Sequence, residues 1–220
     1  MLEALKIKVW ETNRSVGEKL EDGFCSAIDR ETGLIVLAPR GVDIEKLSYE
    51  DMLVVDCTGE IVEGDGDITH DAFAHIEIYS ELEEISSIVE ASPTYAAAFA
   101  QAKRNIPVYG AYHGSRYLGA VPCIDLDSAN ETSDDDKDFE QNVGADVVAV
   151  LKNTTLAYTP ACLVASLGLL AFGTTTDEAL KNALAAEKIA RLAYVTEMLG
   201  GEEEIPFSLN EKLFLRRRKR

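Results

Sequence analysis

The chain has 220 residues, of which 46% are apolar and 27% charged; this supplies one α/β domain with a full core and excludes a disordered chain. Its 39 acidic residues outnumber 21 basic ones, giving a formal charge of −18, so the body repels nucleic acid and no nucleic-acid partner is expected. No uncharged apolar run approaches bilayer-spanning length, and MLEALKIKVWE alternates charge with apolar residues where a signal peptide would be apolar, so a cytoplasmic protein with no membrane partner is expected.

In chain order, Leu2, Leu5, Val9, Val16 and Leu20 recur at helical spacing and predict a helix over 2–20. Gly23–Asp29 and Leu34–Pro39 read as strands of a β-hairpin around the turn 30–33. Asp43 or Ser48 caps a short helical segment before Met52. A second hairpin is expected from 53–57 and 60–64, then a flexible Gly-Asp loop at 64–67. The segment 71–82 reads as a helix, with Phe73, Ile76 and Tyr79 on one face.

The segment Ile85 to Gln101 organises the rest. An apolar run (Ile85, Ile88, Val89) breaks at Ser92-Pro93, and an alanine-rich helix opens at Thr94-Tyr95. Proline suits the first turn of a helix and not its interior, so a buried strand delivers its last residues to the mouth of a helix. Beyond it, Val108–Tyr112 and Val121–Ile124 read as short strands, 125–138 as an acidic loop, and 139–153 as a helix. Strands at 162–165 and 169–172 precede a long helix, which opens with a Thr175/Glu178 capping box, reaches Leu199 and ends at Gly200-Gly201.

A final helix runs from Ser208 into a basic tail, within a C-terminal segment at 206–220. Residues Arg216 to Arg220 are all basic, so the remainder carries −23 (−18 − 5); the tail is expected to pair with acidic surface on its own or a neighbouring subunit. The four cysteines (Cys25, Cys57, Cys123, Cys162) are widely spaced, which argues against a disulfide framework or a thiolate zinc site. No repeat or linker divides 1–220, and the hairpins demand antiparallel pairing; one α/β domain with a largely antiparallel central sheet follows.

Several segments together resemble the class II aldolase/adducin superfamily, most closely its L-ribulose-5-phosphate 4-epimerase and L-fuculose-phosphate aldolase branch. They are Ser26-Ala27-Ile28-Asp29, Pro39-Arg40-Gly41-Val42-Asp43, Asp51-Met52-Leu53-Val54-Val55-Asp56, Ile88-Val89, Thr94-Tyr95-Ala96, Leu163-Val164-Ala165, Gly168 and Ala171-Phe172-Gly173. The resemblance implies a three-layer α/β/α fold, a divalent zinc in active members, and in many members a tetramer with sites between subunits. The strand end that reads I-V-H-T-H in the epimerases reads Ile88-Val89-Glu90-Ala91-Ser92 here, and the third family histidine, in A-N-H-G, is replaced in Ala165-Ser166-Leu167-Gly168. With Glu90, Ser92 and Leu167 at the ligand positions, no metal and no cofactor is expected.

The same comparison puts Ser115 where the family carries a catalytic Asp and Phe214 where the epimerases carry a Tyr; a phenyl ring moves no proton. The sugar-phosphate loops become Gly23-Phe24, Arg40-Gly41 and Thr69-His70-Asp71. Phe24 is expected to fill the pocket, and Arg40 either binds an anion with its guanidinium fork or pairs with Glu90 or Asp71. Gly23, Arg40, Gly41, Thr69, Asp71, Glu90 and His113 are the substrate-binding candidates, for a small anionic sugar. The expected function is a degenerate family member acting as a binding, scaffold or partner subunit, with itself or a paralogue as partner. The alternative is an epimerase or aldolase with relocated active-site residues, Arg40 binding the anion and Glu90 or His113 acting as base.

Overall fold

Strand residues alternate between two apolar layers, and this alternation decides which side chains reach the site. The computed structural model describes residues 1–127, 135–201 and 203–219. Helix α1 spans Glu3–Leu20, followed by β1 (Gly23–Asp29), β2 (Leu34–Leu37), two single helical turns (Ile44–Lys46 and Tyr49–Asp51), β3 (Leu53–Val55) and β4 (Ile61–Glu63). Next come α2 (Ala72–Glu81), β5 (Ser87–Ala91), α3 (Thr94–Gln101), α4 (Ala111–Gly114) and β6 (Cys123–Ile124). The chain closes with α5 (Asp136–Leu151), β7 (Ala161–Val164), β8 (Gly168–Gly173), α6 (Thr176–Met198) and α7 (Phe207–Arg218).

The eight strands form one sheet in the order β4-β3-β2-β1-β5-β8-β7-β6. Every pairing is antiparallel except β6 with β7, as the hairpin signals required. Helices cover both faces, giving the three-layer α/β/α arrangement. On one face Ile88, Leu170 and Phe172 pack against Phe73 and Ile76 of α2 and Val143 and Val147 of α5. On the other, Val89, Leu163, Leu169 and Ala171 meet α3 and the alanines of α6, while Val9 of α1 packs on Ala27, Val36 and Val54. Phe172 is fully buried, and its truncation to alanine would cost about 3–5 kcal/mol. Asn13 pins α1 to the sheet, since its amide donates to the Val9 and Cys25 carbonyls and its oxygen accepts from the Cys25 N–H.

Both candidate caps are used. Asp43 accepts from the Glu45 N–H, and Ser48 with Asp51 makes a full capping box. At α6 the Glu178 N–H donates to Thr175 Oγ1, but the Glu178 carboxylate reaches back to Thr174 instead of closing the box on Thr175. Pro93 stands just before α3 in extended backbone.

The expected strand at 108–112 does not form. The Val108 N–H donates to Glu204 and its carbonyl accepts from Ile205, so its hydrogen bonds go to the segment before α7, and the chain turns into α4. Of 121–124 only Cys123 and Ile124 join the sheet; Val121 makes a single bridge to Ile106, because Pro122 between them has no N–H to donate. The acidic loop falls partly on 128–134, outside the described residues. The α5 helix opens at Asp136, with the Asp135 side chain accepting from the Lys137 N–H. Among the described residues the basic tail makes no ion pair within the chain. Arg218 instead donates to the Ala157 carbonyl and lies over Phe214.

Candidate functional site

Because Ile88 faces α2 and α5, Glu90 two residues on faces them too, at the edge of that layer. It opens into a cleft of about 520 Å³ lined by Gly23, Phe24, Arg40, Gly41, Thr69 and Asp71 among others. Two glycines make the approach close. Gly23 has φ 131 and pairs with Ala91; a Cβ there would lie 2.2 Å from the Glu90 carbonyl. At Gly168 a Cβ would stand 2.8 Å from Ser92 Oγ. β1 and β8 can therefore flank the end of β5 only with glycine at these positions.

Under Glu90 runs a buried polar chain. His75 of α2 is fully buried, with Nδ1 2.8 Å from Ser26 Oγ, and Ser26 in turn meets the Tyr79 hydroxyl at 2.8 Å. His75 Nε2 lies 3.3 Å from Glu90 Oε2 but at an angle that makes no hydrogen bond. Phe24 stacks on the His75 ring at 4.5 Å and 11°, so it packs against the histidine and leaves the cleft open instead of filling it.

Arg40 does not pair with Glu90 or Asp71. Its Nη1 lies 3.1 Å from His70 Nε2, and His70 Nδ1 lies 3.0 Å from Asp136. A guanidinium only donates, so Nε2 accepts and Nδ1 carries the proton given to Asp136. Thr69 Oγ1 donates to Asp71 at 3.3 Å.

The residue that sequence reasoning missed is Glu140. It sits half-buried on α5 and lines a small recess together with Glu90 and Leu167. Burial, then the charges of Asp71, Glu90 and Asp136, pushes its carboxyl up to about 7. A signal was present: Glu140, Val143, Val147 and Leu151 share one helical stripe, and a carboxylate on an apolar stripe needs a reason. His75 had a similar signal, a histidine beside Ile76 and Tyr79 on the helix Ala72–Glu81, most of which is buried.

At the three positions where the family resemblance places histidines, the donor set does not suit zinc. Ser92 Oγ donates to the Leu167 carbonyl at 3.2 Å, and the Leu167 side chain has no lone pair. Among the described residues, no group of three or more His, Cys, Asp or Glu side chains is arranged to hold a metal ion.

The remaining candidates lie elsewhere. His113 is buried between the Pro107 and Gly119 carbonyls, each 3.1 Å from a ring nitrogen. Burial lowers its pKa to about 4, so the ring is neutral and can donate to only one of them. Ser115 and Phe214 line a second cavity that shares no residue with the Glu90 cleft.

Sheet order, glycine-framed strand end and helical layers together define the class of protein. Residues 17–194 match the family described as Class II Aldolase and Adducin N-terminal domain, and the chain belongs to that family. Among solved structures it is similar to an L-fuculose 1-phosphate aldolase, with TM-score 0.80 and 20% identity over 97% of this chain and 95% of that one. It is also similar to the L-fuculose 1-phosphate aldolase of Glaciozyma antarctica PI12, with TM-score 0.77 and 17% identity over 97% of this chain and 81% of that one. A third likeness is to YgbL of Escherichia coli, a putative aldolase/epimerase/decarboxylase, with TM-score 0.72 and 19% identity over 96% and 98% of the two chains. Among the described residues no helix is long and apolar enough to cross a membrane.

Proposed function

We infer that this protein is a class II aldolase/adducin-family member that binds a small hydroxylated, anionic ligand in the Glu90 cleft without zinc-dependent catalysis. The observation that carries this reading is the tie between Ser92 and Leu167: two of the three positions that would grip the ion are bonded to each other or aliphatic. The cleft itself stays open, with Arg40 at its rim to meet an anionic substituent. Metal analysis of protein purified from zinc-supplemented medium tests it. Substoichiometric zinc is the expected result; one zinc per chain, lost in Glu90→Gln, overturns the reading.

The protein acts as a subunit of an oligomer, a tetramer of this chain or of this chain with a paralogue. Leu192, Val195, Met198 and Leu199 support this, since they expose 43–83% of their surface along one end of α6. Native mass spectrometry gives the number of subunits.

A second reading, an epimerase or aldolase with relocated acid and base, is favoured by one observation. Glu140 holds its proton to about pH 7 beside Glu90 and so has the proton affinity of an acid catalyst at neutral pH. Turnover of L-ribulose 5-phosphate or L-fuculose 1-phosphate in the presence of chelator, abolished by Glu140→Ala, would establish it; no turnover would leave the binding role alone.

A further inference from the structure

The Glu90 cleft carries more negative charge than an anionic ligand alone would want. Its walls hold four carboxylates, Glu21, Asp22, Asp71 and Glu90, against one guanidinium, Arg40. Among the described residues none of the four makes an ion pair with a lysine, an arginine or the N-terminal ammonium. Asp22 accepts from the Gly23 N–H at 2.8 Å and Asp71 from Thr69 Oγ1 at 3.3 Å, which leaves acceptor capacity on both. Gly17, Glu21 and Asp22 also bring the C-terminal end of α1 to this wall, and that end of a helix carries partial negative charge. Like charges on one concave wall repel each other, and a cation relieves them.

A buried group behind Glu90 points the same way. The Tyr79 hydroxyl donates its one proton to the Ser26 carbonyl at 2.9 Å, so Ser26 Oγ donates to Tyr79 and His75 Nδ1 donates to Ser26 Oγ. That assignment leaves His75 Nε2 an acceptor. It is fully buried, without a partner, and aimed at Glu90 Oε2 from 3.3 Å, and two acceptors form no bond. The imidazole therefore leaves Glu90 unmatched from behind, while the cleft gives a donor access to it from in front. A metal ion would need several donors turned to one point, and among the described residues no three are so arranged. An ammonium asks less, since its N–H groups bond separate acceptors without a fixed coordination shell.

We propose that the Glu90 cleft takes a small hydroxylated ligand with a primary ammonium group, held by Glu90 in the negative field of Asp71 and the end of α1. This rests on the reading of the cleft as a site for a hydroxylated anion and deepens it. With Arg40 meeting the anionic substituent, the ligand is a zwitterion of the amino-sugar-acid class, and about 520 Å³ is room for one.

Calorimetric titration of the full chain, in the presence of chelator, with glucosaminate, gluconate and glucosamine tests this. The first two differ only in an ammonium for a hydroxyl, and the third keeps the ammonium but lacks the carboxylate. Glucosaminate should bind saturably and about tenfold more tightly than gluconate. Glu90→Gln should abolish that preference, and Asp71→Asn, on another element, should reduce it even if the first variant misfolds. Equal affinity for glucosaminate and gluconate overturns the proposal and leaves the hydroxylated-anion reading standing. Binding of glucosamine as tight as that of glucosaminate, with none of gluconate, upholds the ammonium site and removes the anionic part of that reading. No binding of any of the three, or a preference that survives both substitutions, overturns the proposal.

Discussion

Ser92 Oγ donates to the carbonyl of Leu167, 75 residues away, at 3.2 Å, and so ties the end of β5 to the turn between β7 and β8. Ser166 in that turn adopts a left-handed φ of 66, which leaves Leu167 39% exposed beside the recess shared with Glu90 and Glu140. Three chain positions that are distant in sequence thus meet at one place. Substituting Ser92→His and Leu167→His together would put two imidazoles beside Glu90. Equilibrium dialysis should then show zinc uptake by the doubly substituted protein and none by the wild type.

The close pairing of β1 with β5 depends on Gly23. Alanine there would hold a Cβ 2.2 Å from the Glu90 carbonyl at φ 131, so the strand end must move. We expect Gly23→Ala to cost at least about 1–3 kcal/mol, read as a lower midpoint in denaturant unfolding. Gly41→Ala, at φ 72 with open space around it, should cost less.

Glu140 sets a pH dependence whose sign follows from its shift. The folded protein keeps this proton to about pH 7, while the unfolded chain releases it near its ordinary value of 4.5. Stability from this group is therefore fully present below 4.5 and is lost as pH rises to 7. Partial solvent exposure screens the effect, so about 1 kcal/mol is expected over this window, less than full burial would give. Thermal melts should show that Glu140→Gln loses this slope relative to the wild type. Removing the like charge with Glu90→Gln should lower the Glu140 pKa in an NMR titration.

Helix α3 has no side-chain cap of its own because Pro93 precedes it. The Glu187 carboxylate of α6 takes that role, accepting from the Tyr95 and Ala96 N–H groups at 3.1 and 2.8 Å. Burial raises its pKa, and the two amides act against that rise. Glu187→Ala should cost about 1–2 kcal/mol, with Glu187→Gln recovering part of it.

The cysteines should label in order of exposure. Cys57 is exposed and Cys123 half-buried, while burial raises Cys25 to about 12 and Cys162 higher still. A thiol reagent should modify Cys57 in the native protein and reach Cys25 and Cys162 only after denaturation, as read by mass spectrometry.

The sequence by itself determined the elements that short-range physics governs. The helix at Glu3–Leu20, both hairpins, the strand ending at Ala91 and the alanine-rich helix behind Pro93 follow from periodicity, turn residues and caps, all of which act within a few residues. They also exposed the Glu90, Ser92 and Leu167 positions, because the matching segments are contiguous in the chain. Only the tertiary structure decided the rest. Val108 lost its strand to a carboxylate 96 residues away, and Phe24 stacks on a histidine of α2 instead of plugging the cleft. Glu140 took its proton affinity from burial and then from carboxylates that include Asp71 and Glu90 of other segments, and five basic residues from the segment after α4 and from α6 and α7 came to share one cavity. Electrostatic interaction and burial depend on distance through space, and distances between segments are set when the layers pack.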